Sequence, residues 1–449
     1  MENKMTEGKP LPLLLKFVIP ILLGFIFQQF YNMVDTVIVG RYVGPDALAA
    51  VGSTGTIMFL ILGLANGLTT GFTVLISQKF GAGDKNATRK AFVNGILLGA
   101  VSTSVLTVIS VLIMHPLLRI MNTPEDIYND AYAYIVTICA GSLAIIFYNL
   151  FAASLRAIGD SRTPLYFLIF AALLNIVLDL LFIVSFHMGT FGAALATDVS
   201  QGTSALLCLI YIYKKVPVLR PQKDDWHFYK KYTSKQLNVG IPMALQFGIT
   251  ASGTMVMQAA INIYGSIAVG GFTAAGKVIN LMTAGMPSIG QTMAAYTGQN
   301  FGHGDLGRIR QGTKDAMKIS TVYSAITAVL TVLALPYIIG LFFDSGVDLA
   351  QYMPYAKTYC YQCVIFYLPL AMIFIYRNTM QGCGYGKTAL MLGVMELIAR
   401  LATAFVSMGL RSYPLAVAGD AVAWGSTGIF AWILYLFVMK EIQRKFYPE

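Results

Sequence analysis

The chain has 449 residues, of which 56% are hydrophobic and 12% are charged, and its formal net charge at pH 7 is +10. Soluble globular proteins carry about 25% charged residues, so this composition argues against a water-soluble surface. The five cysteines are too few to stabilise a chain of this length as a disulfide scaffold. The apolar residues fall into runs close to the length of about 20 residues that crosses a bilayer as a helix, which predicts a polytopic membrane protein.

Twelve apolar segments separated by polar breaks predict twelve transmembrane helices in an all-α protein. The segments cover residues 12–40, 47–77, 90–114, 130–157, 163–186, 190–213, 236–263, 268–298, 312–343, 350–382, 387–410 and 413–440. An even number of spans returns the C-terminus to the side of the membrane on which the chain starts.

The distribution of basic residues predicts the orientation of these spans. With a cytoplasmic N-terminus, the outer segments and outer helix ends hold only Arg41, Arg119, Lys357 and Arg411 of the 31 basic residues. Nearly all the others lie on the inner side, as the positive-inside rule requires. We therefore expect a multi-pass protein of a prokaryotic plasma membrane (the cell inner membrane) with both termini in the cytoplasm. The positive net charge is interpreted as this orientation signal and not as a nucleic-acid-binding surface.

A charged stretch at residues 214–235 predicts a cytoplasmic linker between two six-helix bundles, at residues 1–213 and 236–449. The two halves also repeat each other in sequence. Gln-Lys-Phe-Gly-Ala-Gly-Asp at 78–84 matches Gln-Asn-Phe-Gly-His-Gly-Asp at 299–305, position for position. Six-span repeats of the same orientation predict two pseudo-symmetric bundles around a central cavity.

Three segments resemble the multidrug and toxic compound extrusion (MATE) family of secondary transporters. They are Val-Asp-Thr-Val-Ile-Val-Gly at 34–40, the segment at 78–84, and Leu-Arg-Ala-Ile-Gly-Asp-Ser-Arg-Thr-Pro at 155–164. Their order and spacing extend the resemblance over the whole chain. It is strongest to the bacterial branches with an aspartate in helix 1 and Asn-x-x-x-Asp in helix 5. The resemblance implies efflux of organic, often cationic compounds in exchange for protons or sodium ions.

Ionisable residues inside spans are functional candidates, because an unpaired charge in a bilayer costs several kcal/mol. Counting from the predicted helix ends places Asp35, Asn175, Asp179 and Thr197 at one level in the outer half of the first bundle, with Tyr134 at a similar level. The resemblance implies that the first four hold the coupling cation and that the tyrosine lies beside it. Their oxygens suit either Na⁺ or a proton. The alternative is that the two aspartates only hold helices together.

The C-terminal half does not repeat this set, since Asn175 matches Arg400 and Asp179 matches Ala404. The coupling site is therefore expected to be single and N-terminal. Glu396 and Arg400 are spaced i, i+4, which predicts an intrahelical ion pair, and a structural role for it is favoured over substrate binding. Asp198 adjoins Thr197 but points about 100° away around the helix, so we do not include it in the site.

Two further groups of residues have proposed roles in the transport cycle. Pro20 is expected to kink helix 1, and the resemblance makes it a candidate hinge; the alternative is a static bend. Methionine side chains adapt easily to varied apolar ligands. The candidates for the substrate cavity are Gln28, Asn149, Met257, Met282 and Met286.

These observations together predict a secondary active antiporter that exports organic, often cationic drug-like compounds in exchange for H⁺ or Na⁺. No GxxxxGK[ST] loop is present in the sequence, so we expect no use of ATP. The expected partners are small organic cations and the lipid bilayer, with no nucleic acid and no cofactor, and the expected state is a monomer.

Two alternatives remain. A flippase for lipid-linked intermediates shares the two-bundle architecture but needs a cavity rich in Lys and Arg to hold a pyrophosphate, whereas only Lys277 and Arg400 lie deep inside spans. A membrane enzyme needs a convergent catalytic set. The four histidines lie outside the spans or at their edges, so we expect no enzyme.

Overall fold

The computed structural model describes residues 4–121, 123–342 and 348–446. Within these ranges the chain forms helices joined by short turns, without a strand. It divides into unit 1, composed of Met1–Glu7 and Ile19–Leu245, and unit 2, composed of Gly8–Val18 and Gln246–Glu449. Three parts of the predictions lie outside the described ranges. They are residue 343 at the end of the predicted ninth span, residues 1–3 of the first predicted bundle, and residues 447–449 of the second.

Unit 1 takes its helices from the first half of the chain. They are the second part of α1 (Pro10–Tyr42), then α2 (Pro45–Gly81), α3 (Lys85–Ile120), α4 (Glu125–Ala140), α5 (Ser142–Ala157), α6 (Arg162–Asp179) and α7 (Gly189–Lys215), together with the first part of α8 (Lys230–Asn262). Between α6 and α7 lies a π-helical turn, Leu180–Ser185, and a 3₁₀ turn, Lys223–Asp225, precedes α8.

Unit 2 takes the remainder. Its helices are the first part of α1, the second part of α8, then α9 (Ser266–Thr283), α10 (Gly285–His303), α11 (Leu306–Ile338), α12 (Leu349–Ile365), α13 (Tyr367–Gly382), α14 (Gly386–Leu410) and α15 (Tyr413–Phe446). Among the described residues, ten helical segments are long and apolar enough to cross a membrane, and the number is twelve when each of two bent helix pairs is counted as one span. The predicted all-α fold class with twelve spans is confirmed.

Two predicted spans are broken and not continuous. The span at 130–157 consists of α4 and α5, which meet at Gly141 with a bend of 45°, and the span at 350–382 consists of α12 and α13, which meet at Phe366 with a bend of 51°. At Gly141 the Asp198 carboxyl group fills the place of a side chain, since an added Cβ would lie 2.0 Å from Asp198 Cγ. The bend makes room for this buried polar group.

The repeated Gly-x-Gly-Asp segments form the same helix boundary in both halves. Gly83 has φ 74° and Gly304 has φ 87°, values that favour glycine. The next residue caps a helix in each case: Asp84 Oδ1 accepts from Ala87 N at 2.9 Å, and Asp305 Oδ1 accepts from Arg308 N at 2.8 Å. The repeat is therefore explained by a turn and an N-cap that α3 and α11 both need.

The boundaries of the two units differ from those expected from sequence. Residues 236–245 of α8 group with unit 1. Gln236 is buried there, where its amide accepts from Asn94 Nδ2 at 2.7 Å and donates to Phe72 O at 3.0 Å. The polar segment before α8 also docks on unit 1, since Arg89 Nε donates to the buried Asp225 Oδ2 at 2.6 Å.

Helices α1 and α8 are each divided between the units, close to a proline in each case. Helix α1 passes from unit 2 to unit 1 between Val18 and Ile19, just before Pro20, and α8 passes from unit 1 to unit 2 just after Pro242. The two prolines occupy matching positions in the first helix of each repeat. Each of these helices therefore belongs to one unit on one side of its proline and to the other unit beyond it.

Candidate ion-binding site

The five residues predicted for the coupling site all lie in unit 1 and are all buried. Asp35 is on α1, Tyr134 on α4, and Thr197 on α7, while Asn175 and Asp179 form the last turn of α6. Directly after Asp179 the helix changes from α to π geometry. Single π-helical turns frequently occur at functional sites, and this one follows directly on the Asp179 carboxyl group.

The Asp35 and Asp179 carboxyl groups lie close enough to act on each other electrostatically. Two ionised carboxylates held close together repel each other, so a bound proton or another cation stabilises the pair. The structure therefore brings together, from α1 and α6, the two acids that lie at one predicted depth.

Asn175 and Thr197 surround the second carboxyl group of this pair. In the amide orientation that satisfies both of its ends, Asn175 donates to Asp179 Oδ2 at 2.9 Å and accepts from Thr197 N at 3.2 Å. The orientation is assigned from this network. Asn175 thus links α6 to α7 while contacting the acid one turn later in its own helix.

Tyr31 is a member of the site that the sequence analysis missed. Its buried hydroxyl lies 3.3 Å from Thr197 Oγ1. Tyr31 precedes Asp35 by four residues on α1, so the two side chains lie on the same face of the helix. That spacing could have indicated its role. However, a tyrosine in an aromatic-rich span cannot be told from a packing residue by sequence alone.

Asp198 adds a third buried carboxyl group next to this network. It lies against Gly141 at the bend between α4 and α5, and its charge acts on Tyr134 and Tyr31. The prediction that the Asp198 side chain points away from Thr197 agrees with the structure. In that direction it meets Tyr134 and the bend between α4 and α5. Asp198 therefore borders the site, where the sequence analysis had left it out.

Each of the three carboxyl groups has one buried oxygen without a hydrogen-bond partner in the described structure. Asp35 Oδ1, Asp179 Oδ1 and Asp198 Oδ1 are buried without a hydrogen-bond partner. Within the described part of unit 1, the ion pairs are Lys4 to Glu7 and Arg89 to Asp225, and neither reaches these acids. Buried carboxylate oxygens without a donor are costly, so the residues present fit a small cation.

The chemistry of this set suits a monovalent cation. Among the described residues no group of three or more His, Cys, Asp and Glu side chains has the arrangement of a metal site. The oxygens of Asn175, Thr197 and Tyr31 are neutral, and the chemistry of two neighbouring carboxyl groups suits either a proton or Na⁺.

The residues suggested for a substrate cavity differ in their surroundings. Gln28 is exposed and Asn149 is half-buried. Met257 and Met286 are buried in the apolar core of unit 2, and Met282 packs against that core. The structure thus places the first two on accessible positions and the methionines within helix packing.

Unit 2 contains a separate buried ionic cluster around Arg400. Its guanidinium binds Glu396 Oε2 at 3.2 Å through Nη1 and Asp420 Oδ1 at 3.0 Å through Nη2. Tyr359 donates to the other Asp420 oxygen at 2.6 Å. The i, i+4 pair expected from sequence is present in the structure, extended by an aspartate from α15 and a tyrosine from α12.

The twelve-span fold and a buried acidic site define an α-helical membrane transporter. The MatE family model matches residues 20–181 and 242–406, and the chain belongs to this family, whose members are the MATE transporters. Members of the family are transporters of small molecules and not enzymes, and they need no cofactor. The chain is accordingly a multi-pass prokaryotic membrane protein.

Individual proteins support this assignment at different levels. The chain is 32% identical over 307 residues, 68% of each chain, to the probable multidrug resistance protein YpnP of Bacillus subtilis. It is 22% identical over 391 residues, 86% of this chain and 85% of the relative, to the FAD transporter of Shewanella oneidensis. A solved MOP superfamily transporter from Pyrococcus furiosus has the same fold, with a TM-score of 0.92, 22% identity and 98% of both chains covered.

Proposed function

We propose that this protein is an antiporter that exports organic, often cationic compounds in exchange for H⁺ or Na⁺, which binds at Asp35, Asn175, Asp179 and Thr197, with Tyr31 and Tyr134 beside them. The observation that carries the proposal is the group of buried carboxyl oxygens on Asp35, Asp179 and Asp198 that have no hydrogen-bond partner, in a unit where no described basic side chain pairs with them.

In the proposed cycle, an ion enters from the outside and neutralises the Asp35 and Asp179 pair. Substrate binding is then weakened, substrate leaves, and release of the ion to the cytoplasm resets the site. Pro20 lies in the same helix as Asp35, and a proline removes one backbone hydrogen bond from a helix. We propose that α1 changes its bend at Pro20 when the carboxyl pair changes its charge.

The arrangement of basic groups supports this proposal over lipid flipping. A pyrophosphate site needs guanidinium or ammonium groups that are free to bind phosphate. Arg400 is held by Glu396 and Asp420 instead. The similarity to a FAD transporter nevertheless extends the compounds worth testing to anionic ones. We further propose that the protein works as a monomer, uses no ATP, and has both termini in the cytoplasm.

The proposal is tested by efflux of a fluorescent organic cation from proteoliposomes, with a pH gradient and a Na⁺ gradient imposed separately. We expect one of the two gradients to drive efflux and the other to have no effect. Protein that is well reconstituted but moves a fluorescent lipid and no cation under either gradient is instead a flippase.

Replacing Tyr31 by Phe is expected to weaken coupling-ion binding about two- to tenfold, because one net hydrogen bond contributes about 0.5–1.5 kcal/mol. The measurement is the ion concentration that gives half-maximal transport. Tyr166→Phe is the matched control, since Tyr166 is 62% exposed on α6 and is expected to behave as wild type. An unchanged half-maximal concentration in Tyr31→Phe would remove Tyr31 from the site.

A further inference from the structure

Two members of the ionic cluster of unit 2 occupy positions that correspond to members of the ion-binding site of unit 1. Tyr359 matches Tyr134 and Arg400 matches Asn175, both at one and the same offset along the chain. Asp420 on α15 follows Thr197 on α7 at nearly that offset. The members of both sets therefore come from equivalent helices of the two repeats.

The surrounding backbone follows the same correspondence. Gly141, where α4 and α5 meet, matches Phe366, where α12 and α13 meet, at the offset that relates the two tyrosines, and the two bends are 45° and 51°. Each bend therefore lies at the same distance along the chain from the tyrosine of its site. The two sets thus occupy equivalent positions in one repeated framework.

The sequence of unit 2 provides space for the guanidinium. Gly253 on α8 takes the place of Tyr31 on α1, at the same offset that relates Pro242 to Pro20. An added Cβ at Gly253 would lie 3.2 Å from Arg400 Cδ. A tyrosine at this position would occupy the volume of the arginine side chain, so the two differences between the halves are sterically linked.

We infer that the Arg400 guanidinium is a tethered cation that fills the unit 2 counterpart of the coupling-ion site and thereby confines ion exchange to unit 1. The inference rests on the proposed function for the role of the unit 1 site. Both sites hold two acids and a tyrosine around one position. In unit 1 that position is available to an exchangeable cation, whereas in unit 2 it is taken by a covalently attached one that cannot leave.

The charges around Arg400 determine what its removal does. Glu396 and Asp420 form ion pairs with Arg400, and Arg377 and Glu396 interact electrostatically. The two negative charges of the acids equal the two positive charges of the guanidinium groups, so the formal charge of the group is zero. Among the described residues, further titratable side chains near the cluster include Tyr359, Cys360 and Cys363. Without Arg400 the cluster lacks one positive charge, so Arg400→Gln is expected to bind one monovalent cation, a proton or Na⁺.

The test uses a D35N/D179N background, in which the unit 1 pair is neutral and contributes no ion dependence. Thermal unfolding of the purified protein is measured against pH and against Na⁺ concentration. Adding Arg400→Gln is expected to introduce a new dependence, in which acidification or Na⁺ raises Tm and the folding equilibrium shifts up to about tenfold per pH unit for one proton. Arg400→Lys is the matched control, because it keeps a tethered cation, and it is expected to show no such dependence.

Two further variants make the outcome decisive. Adding E396Q and D420N to Arg400→Gln is expected to abolish the new dependence, since the acids that create it are gone. If Arg400→Gln is recovered in no condition, E396Q/R400Q, which leaves Asp420 as the single acid beside Tyr359, is measured in the same way. The inference is overturned if folded R400Q shows no more dependence of Tm on pH or Na⁺ than Arg400→Lys does. The same criterion applies to E396Q/R400Q where it is measured in place of R400Q. Failure of the proposed function has a different signature, namely a D35N/D179N background that keeps the full ion dependence of the wild type.

Discussion

Replacement of Asp35 by Asn is expected to abolish ion-driven accumulation while leaving the protein folded. A proton moving down one unit of pH carries about 1.4 kcal/mol, enough for about a tenfold concentration ratio of a monovalent cation in electroneutral exchange. Without the Asp35 carboxyl group the pair cannot exchange its ion, so the ratio should fall to one. Asp179→Asn is expected to give the same loss. The measurement is the steady-state distribution of a fluorescent organic cation across proteoliposome membranes under an imposed gradient.

Asp46→Asn is the matched control for this loss. Asp46 is an exposed acid in the first turn of α2, so its replacement removes the same charge outside the site. We expect it to accumulate substrate as the wild type does. Full accumulation by Asp35→Asn would show that the two buried acids have a structural role only.

Replacement of Gly71 by Ala is expected to destabilise the protein strongly. An added Cβ at Gly71 would lie 2.3 Å from Gly240 Cα, where α2 and α8 approach each other backbone to backbone. A flexible side chain can rotate away, but a helix backbone must move as a whole. Overpacking of this kind costs about 1–3 kcal/mol and occasionally more. The measurement is Tm of the purified protein, or the denaturant midpoint of its unfolding.

Gly52→Ala is the control on the same helix. No atom lies within 4 Å of the added Cβ, and alanine in a helix interior is about 0.5–1 kcal/mol more favourable than glycine. Gly52→Ala is therefore expected to be neutral or slightly stabilising. Equal stability of the two variants would contradict the close approach of α2 and α8.

Much of the fold could be predicted because a bilayer imposes simple rules on sequence. Apolar length gives the spans, and the repeated glycine and aspartate segments before α3 and α11 reflect a positive φ and an N-cap that the backbone requires. The bends at Gly141 and Phe366 could not be predicted, since apolar length does not report where a helix breaks. Gly141 offered a weak signal and Phe366 offered none.

The candidate site was predictable in part for the same reason. Depth along a helix follows from residue counting, and this places Asp35 and Asp179 at one level. Rotation about the helix axis relative to neighbouring helices does not follow from counting. Tyr31 and Asp198 were missed because their membership depends on which neighbour each face meets, and only the packed structure of unit 1 shows this.

The most direct test of the central claim measures ions released when substrate binds. Purified wild-type protein is placed in a weakly buffered solution, an organic cation is added, and released H⁺ or Na⁺ is recorded with an indicator or an electrode. We expect the wild type to release one of these ions on binding substrate, and D35N/D179N to bind the same compound without releasing either. Equal release by the double variant, or substrate binding by the wild type with no release of either ion, would contradict exchange at the Asp35 and Asp179 pair.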